Sequence, residues 1–147
     1  MKPKYTILII IAISFFTCKN EEGANLSHSK TVLKIAKYDT LLISSNNNDK
    51  WISNIETHEG LLNLDSIISN FKSGDYQSLS KNLSQQTSYI IENCTMKGEP
   101  HDQLHVVLVP ILNEISELKE TTDIEKGRVI ISNLKTLIRL YFQHFKS

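Results

Sequence analysis

Apolar and polar positions are arranged in four different ways along this chain. Tyr5 to Phe16 is predominantly apolar, preceded by Lys2 and Lys4 and closed by Thr17-Cys18. Residues 19–30 (KNEEGANLSHSK) are small and polar and read as a flexible tether. Residues 31–43 are mixed: Thr40 to Ser44 reads as a short extended segment, and Asn46-Asn47-Asn48-Asp49 follows as a turn. From there on the apolar residues recur at helical period.

That period predicts four helices. Asn48 or Asp49 can cap a first helix starting near Trp51, with Trp51, Ile55, Leu61, Leu62, Leu64, Ile67, Ile68 and Phe71 on its apolar stripe. Gly74 stops it and Asp75 can cap the second, which carries Tyr76, Leu79, Leu83, Tyr89, Ile90, Ile91 and Cys94 and closes at Gly98. Glu99-Pro100 opens the third, since a proline in the first turn gives up an N–H that had no partner anyway. Its apolar face is Leu104, Val107, Leu108, Ile111, Leu112, Ile115 and Leu118, and Pro110 should kink it by removing the bond to the carbonyl of Val106. Thr122-Asp123-Ile124-Glu125 has the spacing of a capping box and starts the fourth, with Ile124, Ile130, Ile131, Leu134, Leu137, Ile138, Tyr141 and Phe145 inward. Short loops between consecutive helices predict an all-α, up-down-up-down four-helix bundle over about residues 50–146.

The first 18 residues bear on location. An apolar core of about a dozen residues is too short to cross a bilayer of ~30 Å as a helix, but suits a cleaved signal. Ending at a cysteine followed by Lys19-Asn20-Glu21-Glu22, it resembles a bacterial lipoprotein signal of the Bacteroidetes type. The resemblance implies cleavage before Cys18, acylation of Cys18 and tethering to the outer membrane, on its periplasmic or surface face. The expected organisation is then residues 1–17 signal, 18–39 acylated cysteine and tether, and 40–147 bundle. The competing readings are an ordinary secreted protein whose signal ends in cysteine, or an uncleaved anchor.

Composition narrows the classes. The chain has 16 basic and 16 acidic residues, and losing Lys2 and Lys4 with the signal leaves 14 against 16. Such a chain has no electrostatic footprint for nucleic acid. No nucleophile with its base, no glycine-rich phosphate loop and no H-E-x-x-H is legible, so an enzyme is not expected. Non-covalent haem is a weak reading: His144 is available, but Met96 is the first methionine after the signal.

One constellation carries chemistry. Cys94 and Met96 close the second helix, and His101 and His105 open the third at positions i and i+4, which project from one side. If these converge on or beside the core-facing side, a thiolate, a thioether and two imidazoles suit Cu(I), or Cu(II) or Zn(II) without Met96. His58, about two turns into the first helix, is a fourth-ligand candidate or a boundary residue. The bland alternative stays open: Cys94 and Met96 as packing residues and the histidines as solvated.

Two stretches resemble a family. Trp51, Asn54, Glu56-Thr57 and Gly60, then Asn93-Cys94-Thr95-Met96-Lys97-Gly98-Glu99-Pro100-His101-Asp102-Gln103-Leu104-His105, with Leu108 and Pro110, are similar to a group of small Bacteroidetes lipoproteins. That group shares a W…N-x-E-T-x-x-G stretch and a C-T-M-K-G-x-x-H-x-x-L-H stretch, over about residues 40–145 here. Similar proteins carry Met where this chain has Leu64, and Gly where it has Asn48. The resemblance implies fold and compartment and brings no activity. Three readings follow: a tethered copper or zinc binder using Cys94, Met96, His101 and His105, an interaction module for another envelope protein, or a structural lipoprotein without a ligand.

Overall fold

Asn54 sets where the first helix begins. In the computed structural model, which describes Tyr38 and residues 40–147 apart from Ser73, Asn54 holds the extended N-cap position of α1 (Ile55–Asn70). Its side chain accepts from Thr57 Oγ1 at 2.7 Å and donates to Glu56 Oε2 at 2.6 Å and to the carbonyl of Asn93 at 2.9 Å. One asparagine therefore orders the first turn of α1 and ties it to the last residue of α2 (Tyr76–Asn93). The expected signal, Cys18 and the tether lie outside the described residues.

The remaining helices are α3 (Glu99–Glu120) and α4 (Ile124–His144), so the fold is all-α with four helices. Asp75 caps α2 by accepting from Ser78 N at 2.9 Å, and Asp123 caps α4 by accepting from Lys126 N at 2.9 Å. Thr122 is thus not the cap, and the predicted box is replaced by a single Asp cap one residue on. Gly98 does not close α2: it is the N-cap of α3, at φ 66°, after an extended Cys94 has already ended α2. A positive φ there turns the chain into α3 at little steric cost to glycine. α3 continues through Pro110 without interruption.

Trp51 is not helical. It pairs with Phe145 in a parallel two-residue ladder, β1 (Trp51–Ile52) against β2 (Phe145–Lys146), and its indole N–H donates to the carbonyl of Ser44 at 2.8 Å. The Trp51–Ile55 spacing mimics a helix stripe, but the backbone there is taken by a strand from the far end of the chain. The turn before it is as expected: Asn47 and Asn48 both have positive φ, the signs of a type I′ turn, and Asp49 N donates to the carbonyl of Asn46 at 2.8 Å.

α1 packs on α2, α2 on α3, α3 on α4 and α4 back on α1. Leu61, Leu64 and Ile68, Leu79, Leu83 and Ile90, Leu104 to Leu118, and Ile130 to Tyr141 supply one core, joined by Tyr38, Ile43, Trp51 and Phe145. Five predicted inward residues are exposed: Ile55, Leu62, Tyr89, Ile91 and Ile124. Leu62 and Ile91 follow the buried Leu61 and Ile90, and neighbours on a helix point about 100° apart, so one of each doublet must leave the core. Ile55 and Ile124 are the first residues of their helices. Gly60 is buried because α1 lies against Ile90, whose side chain occupies the place of a Cβ. Among the described residues no helix is long and apolar enough to cross a membrane.

Candidate functional site

The first turn of α3 fixes the histidine pair. Gly98 starts the helix, its carbonyl accepting from His101 N at 3.0 Å and Asp102 N at 3.1 Å, and the i, i+4 spacing brings the rings of His101 and His105 to 4.4 Å between centroids, tilted by 58°. His101 is half-buried and His105 is exposed. The pair does not face the core. The row passes from solvent at His105 to the interior at Leu108, while Leu104 takes the inward place beside His105.

Cys94 and Met96 lie on the extended link between α2 and α3 rather than on α2, both half-buried and packed against the core. Among the described residues Cys94 has no disulfide partner. Of the four expected ligands, the structure thus brings together the two histidines. Among the described residues there is no group of three or more His, Cys, Asp or Glu able to hold a metal ion, so Cys94 does not join them in one.

His58 is engaged elsewhere. Its Nδ1 lies 3.2 Å from the Tyr141 hydroxyl, and its ring meets Tyr141 and Phe142 at 5.8 and 5.5 Å. The same hydroxyl is 2.7 Å from Ser53 Oγ, and Ser53 Oγ is 3.3 Å from the carbonyl of Lys146. Burial pushes the Tyr141 phenol up to about 12; the Ser53 hydrogen bond works against that rise and the nearby Cys94 adds to it. This chain of Ser53, His58 and Tyr141 escapes sequence reading, because Tyr141 looks like one more apolar position in the α4 stripe. The available signal is that a buried tyrosine hydroxyl needs a polar partner.

A second polar cluster crosses the core. Glu114 accepts from the Tyr38 hydroxyl at 2.6 Å through Oε1 and from Asn133 Nδ2 at 3.1 Å through Oε2. Tyr38 is thereby fastened to the middle of α3. Among the described residues, Asn133 Oδ1 is buried without a hydrogen-bond partner. No protein-family model matches the chain, and none of the curated proteins or solved structures compared with it is a match.

Proposed function

We propose that the protein is a non-enzymatic lipoprotein of the cell envelope, an up-down-up-down bundle carried on an acylated Cys18, that docks another envelope protein. Contacts at the helix ends support the topology. Asn54 joins the start of α1 to the end of α2, Ser53 and His58 bring the start of α1 to Tyr141 near the end of α4, and Tyr76 Oη donates to the carbonyl of Ile124, start to start. The likeness to small Bacteroidetes lipoproteins belongs to the same proposal, as does attachment to the outer membrane. The twenty-one residues from Cys18 to Tyr38 reach at most about 70 Å, enough to hold the bundle clear of a bilayer.

The observation that carries docking is a run of large apolar side chains in solvent where β1 leads into α1: Ile52 is 57% exposed, Ile55 63% and Leu62 49%. Ile55 and Leu62 are seven residues apart and share a helix face. A photo-crosslinker at Ile55 in cells should capture one discrete envelope protein, and a crosslinker at Val109 should not; equal capture at both positions would sink the docking reading. Cys18→Ser should leave unprocessed precursor, and efficient processing and release of that variant would sink the anchor.

The second reading is binding of copper or zinc, with Cys94, Met96, His101 and His105 as the ligand set. What favours it is the approach of the His101 and His105 rings.

A further inference from the structure

We propose that His101 and His105 alone form a two-nitrogen chelate for a borderline divalent cation, Cu(II) above all, with the remaining positions open to water. This rests on the metal-binding reading and changes its ligands and its metal. An imidazole nitrogen binds at about 2.0–2.1 Å, which puts the ring centre roughly 3.2 Å from the metal. Two such rings at a right angle have centres about 4.5 Å apart, and at a tetrahedral angle about 5.2 Å. The observed separation is 4.4 Å, so the pair is already spaced for adjacent positions of a tetragonal site. That geometry belongs to Cu(II) or Ni(II) rather than to Zn(II), and Cu(II) heads the affinity order for nitrogen ligands.

The surroundings admit a cation from solvent. His105 is exposed and His101 half-buried, so the metal can enter without opening the core. A helix N-terminus repels positive charge, but Glu99 and Asp102 lie in the same first turn and offset it. Gln103, the remaining polar neighbour, is spent: its Oε1 accepts from Ser44 N at 2.8 Å. With no third ligand to join them among the described residues, the site is exchangeable, unlike a closed structural centre. Protons compete with the metal for the same nitrogens, so acid weakens binding.

The test titrates the full-length protein with Cu(II), following nitrogen hyperfine structure by electron paramagnetic resonance, with Cu(I) and Zn(II) in parallel. One Cu(II) with two imidazole nitrogens is expected, weakened about tenfold or more by His101→Ala or by His105→Ala and left within about twofold by Cys94→Ser. His105 is exposed, so the thermal melt of His105→Ala should match the parent; His101 is half-buried, and the melt of His101→Ala gives the stability baseline for its binding. Undiminished Cu(II) binding in His105→Ala overturns the chelate. Tight Cu(I) binding lost in Cys94→Ser, with no two-nitrogen Cu(II) signal, overturns it too and leaves the soft four-residue set standing. Binding of none of the three metals ends both.

Discussion

His58 Nδ1 lies 3.2 Å from the hydroxyl of Tyr141, which reaches on to Ser53 at 2.7 Å. These bonds join the start of α1 to the end of α4, where β1 and β2 also pair. The clasp therefore consists of one buried phenol and its two partners, reinforced by the Tyr141 and Phe145 rings stacked at 4.9 Å.

Alkaline pH should open this clasp. Burial, the largest influence, pushes the Tyr141 phenol up to about 12, whereas in the unfolded chain it ionises near its ordinary value of about 10. The folded state then holds the proton more tightly. Its contribution is intact below about pH 10 and is lost as pH rises towards 12. Chemical denaturation between pH 8 and 11.5 should show stability falling above pH 10, and Tyr141→Phe should flatten that fall while lowering stability at neutral pH through the stranded Ser53 and His58. An unchanged alkaline limb in Tyr141→Phe would mean that another group governs it.

Acid should act at the opposite sign. The Lys146 ammonium, 2.8 Å from both oxygens of Asp49, and the N–H of Lys50 hold the Asp49 carboxyl below its usual range. The backbone N–H of Glu56, then Asn54, hold the Glu56 carboxyl down as well. Carboxyls lowered in the folded state contribute fully above about pH 4 and lose that contribution as pH falls through their folded values. Asp49 is exposed and Glu56 half-buried, so the effect is modest and weakens with salt. Asp49→Asn should reduce the loss of stability between pH 5 and 2 in low salt, and the difference from the parent should shrink in 1 M NaCl.

The helix caps should carry measurable weight. Asp75 and Asp123 each satisfy one otherwise unpaired N–H, and replacing either by alanine should cost about 0.5–2 kcal/mol. The two caps lie at the same end of the bundle, where Tyr76 Oη donates to the carbonyl of Ile124, so the double variant measures how far the two losses couple. Thr122→Ala should be nearly silent, because the cap is Asp123; a loss there equal to that of Asp123→Ala would restore the box.

These caps were legible because their chemistry is local: an aspartate, three residues, a backbone N–H. The α3 stripe was legible for the same reason, since Leu104 to Leu118 repeats at one period. Trp51 was misread because its partner, Phe145, is at the other end of the chain and nothing near Trp51 announces a strand. The doublets Leu61-Leu62 and Ile90-Ile91 could not be resolved from pattern alone, since either member fits the stripe and only the neighbouring helix decides. The histidine pair followed from i, i+4 spacing. The failure of Cys94 to join it did not, because the end of α2 at Asn93 depends on the long-range bond from Asn54.

That same α1–α2 contact gives the sharpest test of the packing. At an open helix position, replacing glycine by alanine favours the helix by roughly 1 kcal/mol. At Gly60 the new Cβ would collide with Cγ1 of Ile90 and crowd its Cδ1 at 2.8 Å. Ile90 has no free volume to retreat into, being fully buried. Overpacking of this kind costs about 1–3 kcal/mol, so Gly60→Ala should destabilise despite its better helix propensity. Ile90→Ala should cost about 2–5 kcal/mol by leaving a cavity. In the double variant the new methyl fills part of the space that Ile90 vacates, so the combined loss should be smaller than the sum by about 0.5–3 kcal/mol. Denaturant unfolding of the four proteins measures that coupling directly. Strict additivity, or a stabilising Gly60→Ala, would show that α1 and α2 are not held in contact through this pair.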